Sequence, residues 1–323
     1  MERRRELAGL AFAALCVLVG AFFPAFAKLT TGRADALFVA TATSVFGAVA
    51  ALVLLGVRGQ LAELGRRRTA PRLVLVGALG TSAAYFLFFE GAKRTTAIDA
   101  VLCLQVESAY ALVLARIFLG HPITLRRLGA VLLLVAGIAL AVETTGLETS
   151  FGVGLLLLTP LCWQISHLVV LRGLRDVSPQ VLTAARYVFG GTLLVLVWLA
   201  LGGAGALPER ATLVSLLPAL ALQGVVLSFL GTMLWYETIT RLDLARSTAI
   251  VVPSIPLLAI GASFLLLGEV ATARQWAGLA LIAGGVLAFV TSPHPREARE
   301  RIPSPSAPIA VPTGDGPEAG SLR

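Results

Sequence analysis

Apolar residues run in blocks of about twenty along most of this chain, separated by short polar islands. A helix needs about 20 apolar residues to cross a bilayer, and windows of that length recur ten times. The pattern predicts helices over 7–27, 36–57, 72–92, 97–119, 127–143, 151–171, 179–201, 213–237, 247–267 and 274–291. The connections are short. From residue 292 the pattern stops, and "SPHPREARERIPSPSAPIAVPTGDGPEAGSLR" is rich in Pro, Ser and Gly. Such a segment has too little apolar surface to bury, which predicts a disordered cytoplasmic tail over 293–323.

Composition agrees with a membrane protein. Of 323 residues, 57% are hydrophobic and 14% charged, against roughly 25% charged in soluble domains. The first apolar block follows an Arg-rich start, and Ala25-Phe26-Ala27 resembles a signal cleavage site. Its apolar stretch from Leu7 to Phe23 exceeds the about 7–15 residues of a signal core, so it reads as an uncleaved first helix. The net charge of +8 lies at helix ends, which is the placement of topology signals and not of a phosphate-tracking surface. No nucleic-acid partner is expected.

The basic residues also set the orientation. With the N-terminus in the cytoplasm, inside segments hold Arg3 to Arg5, Arg58, Arg66 to Arg68, Arg72, Arg126, Arg127, Arg172, Arg175, Arg241, Arg246, Arg296, Arg299 and Arg301. Outside segments hold Lys28, Arg33, Lys93, Arg94, Arg210 and Arg274. The excess places both termini in the cytoplasm of a multi-pass protein of the plasma or inner membrane. The Lys93–Arg94 pair is the exception to the trend.

The chain repeats itself. "FLGHPITLRRLGAVLLLVAGIAL" (118–140) aligns without gaps to "LLGEVATARQWAGLALIAGGVLA" (266–288) at an offset of 148 residues. The identical pairs include Leu119/Leu267, Gly120/Gly268, Thr124/Thr272, Arg126/Arg274, Leu133/Leu281 and Gly137/Gly285. Each copy closes a block of five helices. Five is odd, so the second block enters the bilayer upside down relative to the first. The fold expected is an all-α integral membrane protein of ten transmembrane helices in two inverted five-helix repeats, 1–147 and 148–292. Inverted repeats of this kind are typical of secondary transporters, with the site between the halves near the midplane.

On these motifs the chain resembles the drug/metabolite transporter superfamily in its EamA-type branch. "LGEVAT" at 267–272 matches that family's hinge in full. "LGHPIT" at 119–124 departs from it, with His121 where the family usually has Glu. "DAVLCLQVESAYALVLARIFLG" also resembles the family's fourth helix. The resemblance covers nearly all of the chain except the tail, and it implies a ten-helix carrier without specifying a substrate.

Ionisable groups at membrane depth are the functional candidates. Glu107 sits at the middle of the fourth block, where a charge costs about 2.5–3.5 kcal/mol on insertion scales. It must be paired, hydrated in a cavity or protonated. Gln105, two residues away, lies about 200° around the helix. Glu107 with Tyr110 is assigned to a central cavity, the alternative for Glu107 being a structural interhelical hydrogen bond, and Gln105 to a bond with a neighbouring helix. At the repeat offset, Gln105 and Glu107 correspond to Pro253 and Ile255, so the carboxylate belongs to one half only. Pro253 and Pro256 free backbone carbonyls that either line the cavity or simply shape packing.

Further candidates are Thr81, Tyr85, Phe88 and Phe89 in the third block, and Trp163, Gln164 and His167 in the sixth. The eighth adds Gly224, Ser228, Thr232 and Tyr236, spaced either for close packing or as a lining. Arg186 in the seventh can pair a substrate carboxylate, pair Glu107 or reach the headgroups. Cys16, Cys103 and Cys162 read as small buried hydrophobes. No cofactor motif, metal-ligand spacing or enzyme constellation is present.

The function expected is alternating-access transport, outward, of a small organic metabolite, amino acid or drug-like solute, with Glu107 as the candidate for proton coupling. The alternative is a lipid-moving or channel-like protein. The partners expected are a small-molecule solute and membrane lipid, and a homodimer is left open.

Overall fold

The computed structural model describes residues 2–291 apart from 121, 143 and 243. His121 and the expected tail lie outside the described residues. Ten helical segments follow one another: α1 (Glu2–Thr31), α2 (Ala36–Val57), α3 (Ala70–Arg94), α4 (97–119), α5 (Leu125–Ala141), α6 (Leu147–Gly173), α7 (Pro179–Ala200), α8 (210–242), α9 (Leu244–Leu267) and α10 (Ala273–Val290). They match the expected blocks closely. Pro24, Pro160, Pro218, Pro253 and Pro256 all lie inside helices that run on through them.

Eight of the ten are long and apolar enough to cross a membrane, all but α5 and α10. The 17 residues of α5 span about 26 Å, slightly short of the roughly 30 Å hydrocarbon core. These two helices pack on each other along most of their length. Both are glycine-containing, and the contact uses that. A Cβ on Gly137 would fall 2.7 Å from the Gly278 carbonyl oxygen, and one on Gly285 would fall 2.7 Å from the Ala130 carbonyl oxygen. Ala130 and Gly278 are themselves partners at the repeat offset of 148 residues. The two contacts are therefore one contact seen twice. They also run in opposite directions along the chain, so α5 and α10 are antiparallel, as an inverted repeat requires.

Other repeat-matched residues do matched jobs. Gly120 and Gly268 end their helices with φ of +68° and +69°, a backbone that side-chain-bearing residues rarely adopt. Thr124 and Thr272 cap α5 and α10, accepting from the amides of Arg127 and Gln275. Arg126 donates to Thr291 at 3.0 Å, past the end of α10, while Arg274 donates to Leu140 and Val142 at 2.8 and 2.9 Å, at the end of α5. The cross-repeat pattern extends to the bundle. α1 packs on α8 and α9, its counterpart α6 packs on α3 and α4, and α2 packs on α7. Each half folds against the other, and the largest apolar cluster draws on both.

The hinge carboxylate of "LGEVAT" has a defined place. Glu269 accepts from the backbone amides of Ala97 at 3.0 Å and Ile98 at 3.2 Å. Those amides open α4 and have no partner within the helix. A carboxylate there also faces the positive end of the helix dipole. The second repeat thus closes the start of the first repeat's fourth helix. One turn in, Asp99, 2% exposed, accepts from Gln275 of α10 at 3.0 Å.

Candidate functional site

The two repeat-related helices α3 and α8 are wound wider than the rest at matching places, over Ala78–Ala83 and Leu222–Leu230. Such π segments displace backbone carbonyls from the regular ladder. In α3 the Gly80 carbonyl accepts from Arg186 Nη2 of α7 at 2.6 Å. Gly80 has no side chain in the way: a Cβ there would lie 2.8 Å from Ser166 Oγ and 3.0 Å from Arg186 Nε. Ser166 donates in turn to the Val76 carbonyl at 3.3 Å. The guanidinium is thus brought into the bundle about 10 Å beyond the start of α7.

The next residue, Tyr187, is 1% exposed and joins three helices. Its hydroxyl lies 3.2 Å from that of Tyr85 on α3 and 3.0 Å from Thr232 Oγ1 on α8. Thr232 donates to the Ser228 carbonyl at 2.9 Å. A hydroxyl has one proton to donate. Tyr187 must then donate to Thr232, and Tyr85 must donate to Tyr187. The result is a directed chain, Tyr85 to Tyr187 to Thr232 to the Ser228 backbone.

Glu107 lies on α4. The helix tightens just before it: amides of Gln105 and Val106 bond back three residues, to Leu102 and Cys103, each at 3.2 Å. Glu107 begins the second half of the helix. Its Oε1 accepts from Gln164 Nε2 of α6 at 2.8 Å. Arg186 acts electrostatically on Glu107, and also on His167, Tyr85 and Tyr236. The guanidinium is nevertheless not within ion-pair distance of any carboxylate among the described residues. The site therefore holds two opposite charges within each other's field, each held by a neutral partner: Gly80 for Arg186, Gln164 for Glu107.

Glu107, Trp163, His167, Arg186, Thr232 and Tyr236 are each partly exposed, from α4, α6, α7 and α8, and Tyr110 is one turn beyond Glu107. The Trp163 Nε1 and Arg186 Nε donors are buried without an acceptor. Tyr85 and Ser228 are buried, Tyr85 as the first member of the hydroxyl chain. Pro253 is partly buried inside α9 and makes no hydrogen bond to this group.

Two expectations are corrected. Gln105 does not bond a neighbouring helix; its amide donates to Val101 one turn back in α4 at 3.3 Å. Phe88 and Phe89 are fully buried; Phe88 stacks on Phe23 with centroids 4.9 Å apart and Phe89 meets it edge-on at 5.9 Å, so they form core and not lining. Gly224 closes against the Thr43 carbonyl of α2, which is the close packing that its spacing allowed. Tyr187, Asp99, Gln275 and the role of Glu269 were not singled out as site or contact residues from sequence. Tyr187 stands beside Arg186 in an apolar run, and that adjacency was the available signal. No group of three or more His, Cys, Asp or Glu among the described residues could hold a metal ion.

Comparison with known proteins bears on this arrangement. The EamA-like transporter family matches twice, over residues 7–142 and 150–291. A protein of Streptantibioticus cattleyicolor named a probable terminal-alkyne amino-acid exporter is 28% identical over 233 residues, covering 69% of this chain and 73% of that one. The uncharacterized transporter YyaM of Bacillus subtilis is 24% identical over 227 residues, covering 68% and 73%. A crystal structure at 16% identity superposes with a TM-score of 0.62, over 88% of this chain and 97% of the other; at that identity the likeness concerns the fold alone.

Proposed function

This chain belongs to the EamA-like transporter family, and on that premise we propose that it exports a small amino-acid-type solute by alternating access. It is a multi-pass membrane protein that moves a small molecule, as membership implies. The repeats, taken as 1–147 and 148–292, rock about the α5–α10 seam, and both termini face the cytoplasm.

The observation that carries the reading is the separated pair of Glu107 and Arg186, set among partly exposed polar and aromatic side chains from four helices. Partly exposed opposite charges that do not touch each other leave both open to a ligand. The relative named as an amino-acid exporter supports the solute class. Glu107 is also the proton site. A proton and the solute compete for it, so inward proton flow returns the emptied carrier and drives export.

The test is exchange in liposomes. Purified protein, with the liposomes preloaded with a pool of amino acids, is expected to take up labelled amino acid from outside, where protein-free liposomes do not. Absence of exchange for amino acids and for a wider metabolite pool would sink the reading. Exchange or scrambling of labelled lipid alone would favour the lipid-moving alternative.

A further inference from the structure

The two charges of the site differ in what holds them, and that difference points to a ligand. A guanidinium has five N–H donors in a planar fork suited to a carboxylate. Arg186 spends one of them on the Gly80 carbonyl, and its Nε is buried with no acceptor. Trp163 on α6 holds a second buried N–H in the same condition. Burying a charge or a donor without a partner is costly, and the fold does not relieve the cost with its own carboxylate. Glu107 is in reach of the field of Arg186 but is held by Gln164 on the opposite helix.

A structural ion pair would have closed. Here Gly80, which lacks a side chain, and the π segment around it fix Arg186 against α3. The tightened turn at Gln105–Val106 sets Glu107 on α4 toward α6. Both positions are imposed by backbone features, so the gap between the charges is built in. A single anion would satisfy Arg186 but leave Glu107 uncompensated, and a single cation would do the reverse. A molecule that carries an ammonium and a carboxylate on the same carbon satisfies both at once.

We propose that the site recognises the zwitterionic backbone of an α-amino acid at two points, Arg186 binding its carboxylate and Glu107 its ammonium. Gln164 gives up its bond to Glu107 when the ammonium arrives, which couples occupation of the site to α6. Trp163, Tyr110 and Tyr236 face the side chain, so the side chain is read by shape and apolar contact rather than by charge. This inference rests on the transporter reading above and narrows its substrate to free amino acids with neutral side chains.

The test removes one charge at a time from the ligand. Binding to purified protein in detergent is measured for L-phenylalanine, L-norvaline and L-propargylglycine, each beside its amide, its deaminated acid and its decarboxylated amine. At least one of the three amino acids is expected to bind, with its three analogues weaker by about tenfold to a hundredfold, the range of a lost charge-assisted hydrogen bond. Arg186→Gln is expected to weaken the amino acid by a similar factor and to abolish the preference over the amide. Glu107→Gln is expected to abolish the preference over the deaminated acid. The wild-type analogue series needs no variant to fold, and Arg186→Lys, which keeps the charge without the fork, is expected to fall between. An amide or amine bound as tightly as its amino acid, or no binding of all three amino acids, overturns the proposal. In that case exchange of some other solute in the liposome assay leaves the transporter reading standing alone, and failure of both assays removes both.

Discussion

Gly137 of α5 and Gly278 of α10 meet backbone to backbone, with room for no side chain: a Cβ on Gly137 would sit 2.7 Å from the Gly278 carbonyl oxygen. The seam between the halves depends on that closeness. Gly137→Val is expected to force the helices apart and cost about 1–3 kcal/mol, seen as a lowered melting temperature in detergent. Gly129→Ala, on the same helix but with nothing within 4 Å of a new Cβ, is expected to be neutral or slightly stabilising. Equal losses from both variants would show that helix propensity, and not the seam, is being measured.

Glu269 caps α4 from the other repeat through Ala97 and Ile98. Glu269→Ala removes the acceptor and is expected to cost about 0.5–2 kcal/mol, the usual range for a lost cap. Glu269→Gln keeps one acceptor oxygen and is expected to lose less. Thermal unfolding of the three proteins side by side ranks them, and an unchanged Glu269→Ala would remove the cap from the account.

Tyr187→Phe deletes the middle of the hydroxyl chain. Tyr85, buried beside it, then lacks its acceptor at 3.2 Å, and an unmet buried hydroxyl costs about 1–3 kcal/mol. The variant is expected to fold, melt lower and transport more slowly. Tyr85→Phe in addition is expected to recover part of the stability, because no donor is then left unpaired. A double variant that is as unstable as the sum of the two singles would contradict the directed chain.

Glu107→Gln cannot exchange a proton. In liposomes it is expected to lose the response of transport to an imposed pH gradient while staying folded and inserted. A response equal to wild type would end its role in coupling.

Topology is open to labelling. A cysteine at Arg67 is expected to react only with reagent from the cytoplasmic side, and one at Arg210 only from outside. The reverse pattern, or both on one side, would break the orientation derived from the arginines.

Much of the architecture was legible along the chain because the bilayer imposes a length. A block of about twenty apolar residues becomes one helix whatever its neighbours do, so ten blocks predicted ten helices. The matched Gly120/Gly268 and Thr124/Thr272 pairs marked the repeat along the chain, and the structure gives the reason, since a left-handed C-cap and an N-cap are local backbone requirements. Glu107 stood out for a similar reason: a carboxylate at that depth is conspicuous in any composition.

The partners were not legible. Gln105 and Gln164 are both amides in apolar runs, yet the first bonds its own helix and the second holds Glu107. Phe88 and Tyr85 share a helix, yet the one packs into Phe23 and the other joins Tyr187. Side-chain spacing gives a face, and the neighbouring helix decides what that face meets.

By itself, then, the amino-acid sequence determined the number of helices, the repeat and the depth of the one central carboxylate, since each follows from local chain chemistry or from the thickness of a bilayer. Only the tertiary structure decided that Arg186 stands apart from Glu107, that Tyr187 links three helices and that Glu269 caps α4 from the other repeat. Those relationships join residues about 45 to 170 positions apart, and such pairs meet only once helices have packed at glycine contacts and π segments, which no local pattern in the sequence specifies.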